Sequence, residues 1–180
     1  MLPLTYTLET ERCRLRAPSE SDLPAIFEAS REPGFCDGMA WSPPATLEEM
    51  REPLRQNLER WRQGQSFTFT IEDKATGEFL GRISIRNLGK PGVWNIGYFL
   101  RPRHQGRGYM TEAGRAVMRL GFEALGAEEI EACCTLWNRR SERVLQRLRM
   151  TFVEYVPEGL KKGDTWVPEN RMSRRRSASP

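Results

Sequence analysis

The residues that could do chemistry gather in one stretch, Tyr98-Phe99-Leu100-Arg101-Pro102-Arg103-His104-Gln105-Gly106-Arg107-Gly108-Tyr109-Met110-Thr111-Glu112-Ala113. An apolar strand-like run leads into a short glycine-bearing loop, and the loop leads into a helix-like run. Such a loop presents unpaired backbone N–H groups at the positive end of a helix dipole, which is where phosphate binds. Gly106 and Gly108 let the backbone approach a phosphate that a side chain would hold away. The bland alternative is a tight strand-to-helix turn with no ligand.

Two phosphate motifs are excluded. A P-loop needs Lys-Ser or Lys-Thr after its last glycine, and neither follows Gly108. A dinucleotide fingerprint needs a third Gly or Ala where Thr111 stands. What remains is Arg-x-x-Gly-x-Gly from Arg103 to Gly108. His104 is the only histidine of the chain. Arg139, Arg143 and Arg147 recur at helical spacing, as a solvated face or a contact for a further phosphate. Asn138 stands where a helix N-cap belongs.

The elements that must hold this loop read as follows. Thr7 to Arg16 alternates as an edge strand. Ser19-Glu20-Ser21-Asp22 opens a helix with Leu23, Ile26 and Phe27 on one face. Trp41-Ser42-Pro43-Pro44 is a loop. Thr46-Leu47-Glu48-Glu49 resembles a capping box and opens a second helix to about Arg62. Phe67–Glu72 and Phe79–Arg86 form an antiparallel hairpin through Ala75-Thr76-Gly77. Val93–Leu100 is the next strand, with Gly97 marking a bulge or a close backbone approach. A long helix from Gly108 to Ala124 follows, then a strand at Glu129–Thr135 and a helix opened by Asn138. Thr151–Tyr155 and Asp164–Val167 are strands near the end. This order predicts an α/β domain of the α+β type, with a mostly antiparallel sheet and helices on both faces.

Bulk properties set the frame. The chain has 180 residues, 38% hydrophobic and 29% charged, enough for one core. No apolar run approaches the roughly 18–20 residues of a membrane span, and the start lacks the basic and apolar regions of a secretory signal. Cys13, Cys36, Cys133 and Cys134 have no metal or disulfide spacing, and the vicinal Cys133-Cys134 in a strand-like run read as buried thiols, so a cytoplasmic protein without metal is expected. The net charge is +4, and Arg171, Arg174, Arg175 and Arg176 carry much of it. One domain over 1–170 and a basic, disordered tail over 171–180 are therefore expected. No nucleic-acid reader motif accompanies that charge, so nucleic acid is an unfavoured partner.

The fuller pattern resembles the GNAT acetyltransferase superfamily, in its RimJ/RimL-like branch. It comprises Ile96-Gly97-Tyr98-Phe99-Leu100-x-Pro102, Gln105-Gly106-Arg107-Gly108-Tyr109-x-Thr111-Glu112-Ala113, Phe122-Glu123-x-Leu125-Gly126 and Asn138-x-x-Ser141-x-Arg143-Val144-Leu145. The likeness covers roughly residues 7 to 155. It implies a GNAT fold whose central sheet splays where acetyl-CoA lies. It also implies that the amides of Gln105, Gly106, Arg107, Gly108, Tyr109 and Met110 hold the pyrophosphate, with Thr111 opening the helix. Pantetheine would pair with backbone near Phe99, Leu100 and Arg101 and meet Asn138, and Arg143 would face the 3′-phosphate. Trp41 and Asn95 would line the acceptor side, and Ser141 would be the catalytic donor to the leaving thiolate. His104 would lie away from the amine.

Three departures qualify the likeness. Many relatives carry Glu where Asn95 stands, and often use it as base. Their Gly after the last helix is Arg149 here, and the frequent acid tyrosine would fall near Leu145. A site without an evident base suits an α-amine, pKa about 7.7–8.0, better than a lysine at about 10.4. Glu154 or Glu72 could instead relay through water. The expected activity is acetyl transfer to a primary amine, a protein N-terminus or a small molecule, by a monomer or homodimer. An acyl-CoA sensor without catalysis is the alternative.

Overall fold

The structure is a computed structural model and describes residues 2–177. Eight strands and four α-helices alternate irregularly along the chain. They are β1 (Leu8–Glu9), β2 (Cys13–Arg16), α1 (Leu23–Ser30), α2 (Arg51–Arg62), β3 (Ser66–Asp73), β4 (Phe79–Asn87) and β5 (Val93–Leu100). Then come α3 (Tyr109–Glu123), β6 (Glu129–Thr135), α4 (Arg139–Arg147), β7 (Thr151–Lys162) and β8 (Thr165–Arg175). The strands form one sheet in the order β1-β2-β3-β4-β5-β6-β8-β7. Every neighbouring pair is antiparallel except β5 and β6.

The period-two alternation of the strands gives the sheet two unlike faces. Phe67, Phe69, Ile71, Ile83, Ile85, Trp94 and Ile96 belong to one buried cluster with Met110, Ala113 and Val117 of α3 and Trp61 of α2. Trp61 meets Phe67 and Phe69 edge-on, with ring centroids 5.2 and 4.9 Å apart. The helix lies close because Gly121 has no side chain: a Cβ there would stand 2.7 Å from Ile85 Cδ1. The opposite face carries Thr68, Thr70, Arg82, Ser84, Asn95 and Glu131. It forms the floor of a cavity that Leu23 and Ile26 of α1 also line.

The splay expected at β5 is present. β5 and β6 pair only from Val93↔Glu129 to Asn95↔Glu131, yet β5 runs on to Leu100 and β6 to Thr135. Gly97 makes no bulge, because the β4–β5 register runs unbroken through Ser84↔Gly97.

Two expectations fail at the C-terminal end. β7 and β8 are longer than alternation indicates, because bulges between Phe152 and Glu154 and between Val156 and Leu160 disrupt the pattern without ending the pairing. The expected basic tail from Arg171 begins inside β8: Arg171 pairs with Cys133 of β6 and its guanidinium meets Glu131 and Glu154. Residues 178–180 lie outside the described residues. Cys133, expected to be buried, is exposed, whereas Cys13, Cys36 and Cys134 are buried.

The turn after α4 is left-handed, with Arg149 at φ 62° and its side chain exposed. Met150 N–H donates to Leu145 O at 3.0 Å, closing the helix end. Arginine is strained there and glycine is not. Arg149→Gly is expected to stabilise the fold by up to about 1 kcal/mol, raising Tm by ~2–4 °C for a chain of this size. A lower Tm by calorimetry would show that Arg149 makes a contact worth more than its strain.

Candidate active site

The loop between β5 and α3 is a short 3₁₀ turn, Pro102–His104, followed by two glycines in left-handed conformation, Gly106 at φ 79° and Gly108 at φ 84°. The amides of His104 and Gln105 are already spent on Arg101 O and Pro102 O. The first backbone bond of α3 is Glu112 N–H to Gly108 O. The amides of residues 106–111 therefore lie between two satisfied stretches, at the positive end of a 15-residue helix. No atom lies within 4 Å of the place a Gly106 Cβ would take. Thr111 Oγ1 is buried without a partner at the same helix start. This is an anion-binding arrangement, and it suits the pyrophosphate of a coenzyme A.

Side chains lock the loop from several sides. Gln105 Nε2 donates to Leu100 O at 3.1 Å, and Gln105 Oε1 accepts from Arg140 Nη1 at 2.8 Å. Tyr109 Oη donates to Asp73 Oδ2 at 3.1 Å, under the guanidinium of Arg12. Arg12 also donates to Arg107 O. Gln105 thus contributes its side chain rather than its amide. Met110 is buried in the core, so its side chain anchors the helix and only its amide faces the loop. Arg143 is exposed and away from these bonds, whereas Arg140 is tied to the loop directly.

The gap between β5 and β6 offers backbone to an extended ligand. Arg101 N–H is bonded to Leu80 O at 2.9 Å, so by strand alternation Phe99 and Arg101 turn their backbone polar groups toward β4. Tyr98 and Leu100 turn theirs toward the gap. Of the three residues expected to pair with pantetheine, only Leu100 has that orientation. Arg101 is instead fixed by its side chain, which is buried and meets Glu28 at 2.7 Å.

Beyond the gap lies a cavity of about 1190 Å³. Trp41, Asn95, Asn138 and Ser141 all line it, together with Tyr98 and Phe99. Trp41 stands edge-on to Phe99, with centroids 6.4 Å apart. Asn95 is buried with both ends of its amide occupied: Oδ1 accepts from Arg86 Nε at 3.0 Å and Nδ2 donates to Glu131 O at 3.2 Å. It braces β4, β5 and β6 just where the pairing stops. Asn138 Oδ1 accepts from Ser141 N–H at 3.1 Å and so caps α4. His104 is absent from the cavity lining; it is buried against Arg103 and Glu78.

Two features escape sequence reasoning. The Ser141 hydroxyl is 3.0 Å from Tyr98 Oη, across 43 positions of chain. Burial raises the Tyr98 pKa, which keeps that phenol protonated as a donor. The second is Glu169 on β8, beside Thr135 of β6. It lines the same cavity and is only 9% exposed. Among the described residues no side chain donates to it, and burial pushes its pKa up. Glu72, considered as a base from sequence, instead binds Arg16, and Glu154 binds Arg171. Among the described residues no group of three or more His, Cys, Asp or Glu could hold a metal ion.

The model of the acetyltransferase (GNAT) domain matches residues 12–151, most of the chain. This protein belongs to the GNAT acetyltransferase family. Its GNAT fold is that of acetyl-CoA-dependent N-acetyltransferases. A Bacillus subtilis protein, YkkB, is 30% identical over 161 residues, covering 83% of this chain and 87% of YkkB. The N-acetyltransferase YnaD of Bacillus subtilis is 23% identical, covering 90% and 92%. Among solved structures, the RimL ribosomal L7/L12 α-N-protein acetyltransferase in complex with coenzyme A superposes with a TM-score of 0.84 at 21% identity. That match covers 94% of this chain and 98% of RimL. A ribosomal-protein-serine acetyltransferase of Vibrio cholerae gives 0.85 at 18%, covering 97% and 100%. The RimJ/RimL-like character expected from sequence thus has counterparts in fold. Among the described residues no helix is long and apolar enough to cross a membrane.

Proposed function

We propose that this GNAT enzyme acetylates the α-amine of a protein or peptide N-terminus. The observation that carries this is the cavity itself. At about 1190 Å³ it has room for the coenzyme's acyl end and an acceptor together. It also brings an unpaired carboxylate, Glu169, to the same space as the Ser141–Tyr98 hydroxyl pair. RimL, described as an α-N-protein acetyltransferase, shares the fold.

Acyl transfer needs a neutral amine and a proton donor for the departing thiolate. An α-amine with a pKa near 8 is about 10% neutral at pH 7, whereas a lysine amine is neutral roughly 0.04% of the time. Glu169 accepts the amine proton as the nitrogen bonds to the acyl carbon. Ser141, hydrogen-bonded to Tyr98, donates to the sulfur as the C–S bond breaks. The loop amides of residues 106–111 hold the coenzyme's phosphates and keep its thioester end at the gap.

The test is an acceptor screen with acetyl-CoA, following release of free thiol. Peptides with free N-termini should be turned over faster than their N-blocked, lysine-bearing counterparts. Turnover of small amines alone would sink the N-terminal assignment, and no turnover of any amine would leave an acyl-CoA sensor. Ser141→Ala should lower kcat roughly 10- to 100-fold with little change in acetyl-CoA affinity, as for a donor acting in the transition state. An unchanged kcat would remove Ser141 from the chemistry.

A further inference from the structure

The charged side chains lining the cavity are almost all engaged. Arg86 donates to Asn95, Glu131 binds Arg171, Glu49 accepts from Ala45 N–H, and the Lys161 ammonium lies 5.8 Å over the Trp166 ring. Two lack such contacts: Glu169, and Arg82 at its Nε and Nη2.

Arg82 sits on β4 between Thr70 of β3 and Phe99 of β5, its side chain 12% exposed. Its Nε and Nη2 are buried without hydrogen-bond partners. Asp22 is the nearest acid, but its Oδ2 is 3.7 Å from Arg82 Nη2, beyond a hydrogen bond. Asp22 is also heavily engaged. Oδ1 accepts from Arg16 Nη2 at 2.6 Å, and Oδ2 accepts from Thr70 Oγ1 at 2.7 Å and Ser19 N–H at 2.9 Å. Burial pushes the Asp22 pKa up, but the bonds from Arg16, Ser19 and Thr70 more than reverse this and hold it below the usual carboxylate range. It stays an anion whose Oδ2, the oxygen nearest Arg82, already accepts from Arg16, Ser19 and Thr70. Burial pushes the Arg82 pKa down to about 10, still charged at neutral pH. A buried guanidinium with unsatisfied donors is costly to keep unless a ligand completes it.

The ligand such a fork selects is an oxyanion, held by two parallel N–H···O bonds. The place of Arg82 adds the second half. Arg82 and Glu169 stand on either side of the gap, separated by the strand spacings β4–β5, β5–β6 and β6–β8. Each is about 4.8 Å or more, so their backbones are at least ~14 Å apart. The cavity is therefore dipolar, with a carboxylate at one end and, at the other, a guanidinium that is within ion-pair range of Asp22 but has no hydrogen bond at Nε or Nη2. We propose that the acceptor carries an oxyanion on the same molecule as its amine, and that Arg82 binds that oxyanion while the amine faces Glu169. This rests on the amine-acetylating reading given above and narrows its substrate class. Two sources share this chemistry: an acidic side chain close to a peptide N-terminus, and the carboxylate of a free amino acid.

The experiment compares matched acceptors with acetyl-CoA. One pair is a peptide beginning Ser-Glu and its Ser-Gln counterpart, and the other is free glutamate and glutamine methyl ester. The native enzyme should favour the acidic member of at least one pair by roughly 10- to 100-fold in kcat/KM. Whichever pair shows the preference identifies the source. In Arg82→Gln that preference should shrink to within about threefold, and Arg82→Lys should keep part of it, because a point charge replaces the fork. Equal use of acidic and neutral members by the native enzyme overturns the proposal, and needs no variant. So does an undiminished preference in Arg82→Gln. Thermal shift of the coenzyme A-bound enzyme reads binding without transfer. Stabilisation by an acidic member that vanishes in Arg82→Gln, even with no acetylation, upholds the oxyanion site and fails only the acetylation reading. No such stabilisation and no acidic preference in turnover fails the oxyanion site.

Discussion

Glu169→Gln should lower kcat/KM for an α-amine acceptor by about 10²-fold at pH 7, the lower end of the range for a general base. The loss should narrow as pH rises past 8, where the acceptor amine becomes neutral unaided. The native enzyme should show a limb rising with pH that is the same for acceptors of different amine pKa. The sign follows from the site. Only ionised Glu169 accepts a proton, and burial raises its pKa, so activity appears as pH climbs through a value above the ordinary carboxylate range. Stability runs the other way. A carboxyl whose folded-state pKa is raised favours the fold below its unfolded pKa, and that contribution is lost as pH rises through the folded value. At neutral pH the variant should therefore be no less stable than the native chain while being far less active, which separates chemistry from unfolding. A pH profile that tracks only the acceptor's pKa would remove Glu169 as the base.

Gly106→Val should abolish acetyl-CoA binding without unfolding the protein. At φ 79° a β-branched residue is strained, costing on the order of 1–3 kcal/mol, and its side chain would project into the space left for phosphate. Nothing within 4 Å of the Cβ position would be displaced, so the core is untouched. Coenzyme at 100 times its Kd should stabilise the native protein by about 2.7 kcal/mol, or roughly 5–10 °C in Tm. That shift should vanish in Gly106→Val. A full shift in the variant would place the coenzyme elsewhere.

What the sequence makes legible is what local backbone demands. Gly106 and Gly108 had to be glycine for a left-handed turn, and Asn138 announces a helix start wherever the chain goes next. Arg149 stands out because it occupies a glycine's conformation. The other half of the site is assembled from distant positions. Ser141 meets Tyr98, Thr70 reaches Asp22 across 48 positions, and Glu169 enters the cavity from a strand that runs through Pro168. Nothing in the spacing of Arg82 separates it from Arg86, the other charged residue of its strand. Only the pairing of β3, β4 and β5 and the prior commitment of Asp22 to Arg16 leave its Nε and Nη2 without hydrogen bonds. The C-terminal strands were hidden for a related reason: two bulges break alternation while the hydrogen-bond ladder continues. The expectation of a site without a base came from Asn95 alone, and Glu169 lies on the far side of the gap from it.

The three-residue seam between β5 and β6 divides the sheet into plates of five and three strands, with Asn95 as their brace. The gap opens between the plates, with Ser141 and Glu169 beside the smaller one and Arg82 on the larger. The two plates are nevertheless joined across the gap, because the Ser141 hydroxyl beside β6 meets Tyr98 Oη of β5, so the hydroxyl pair is held by both plates at once.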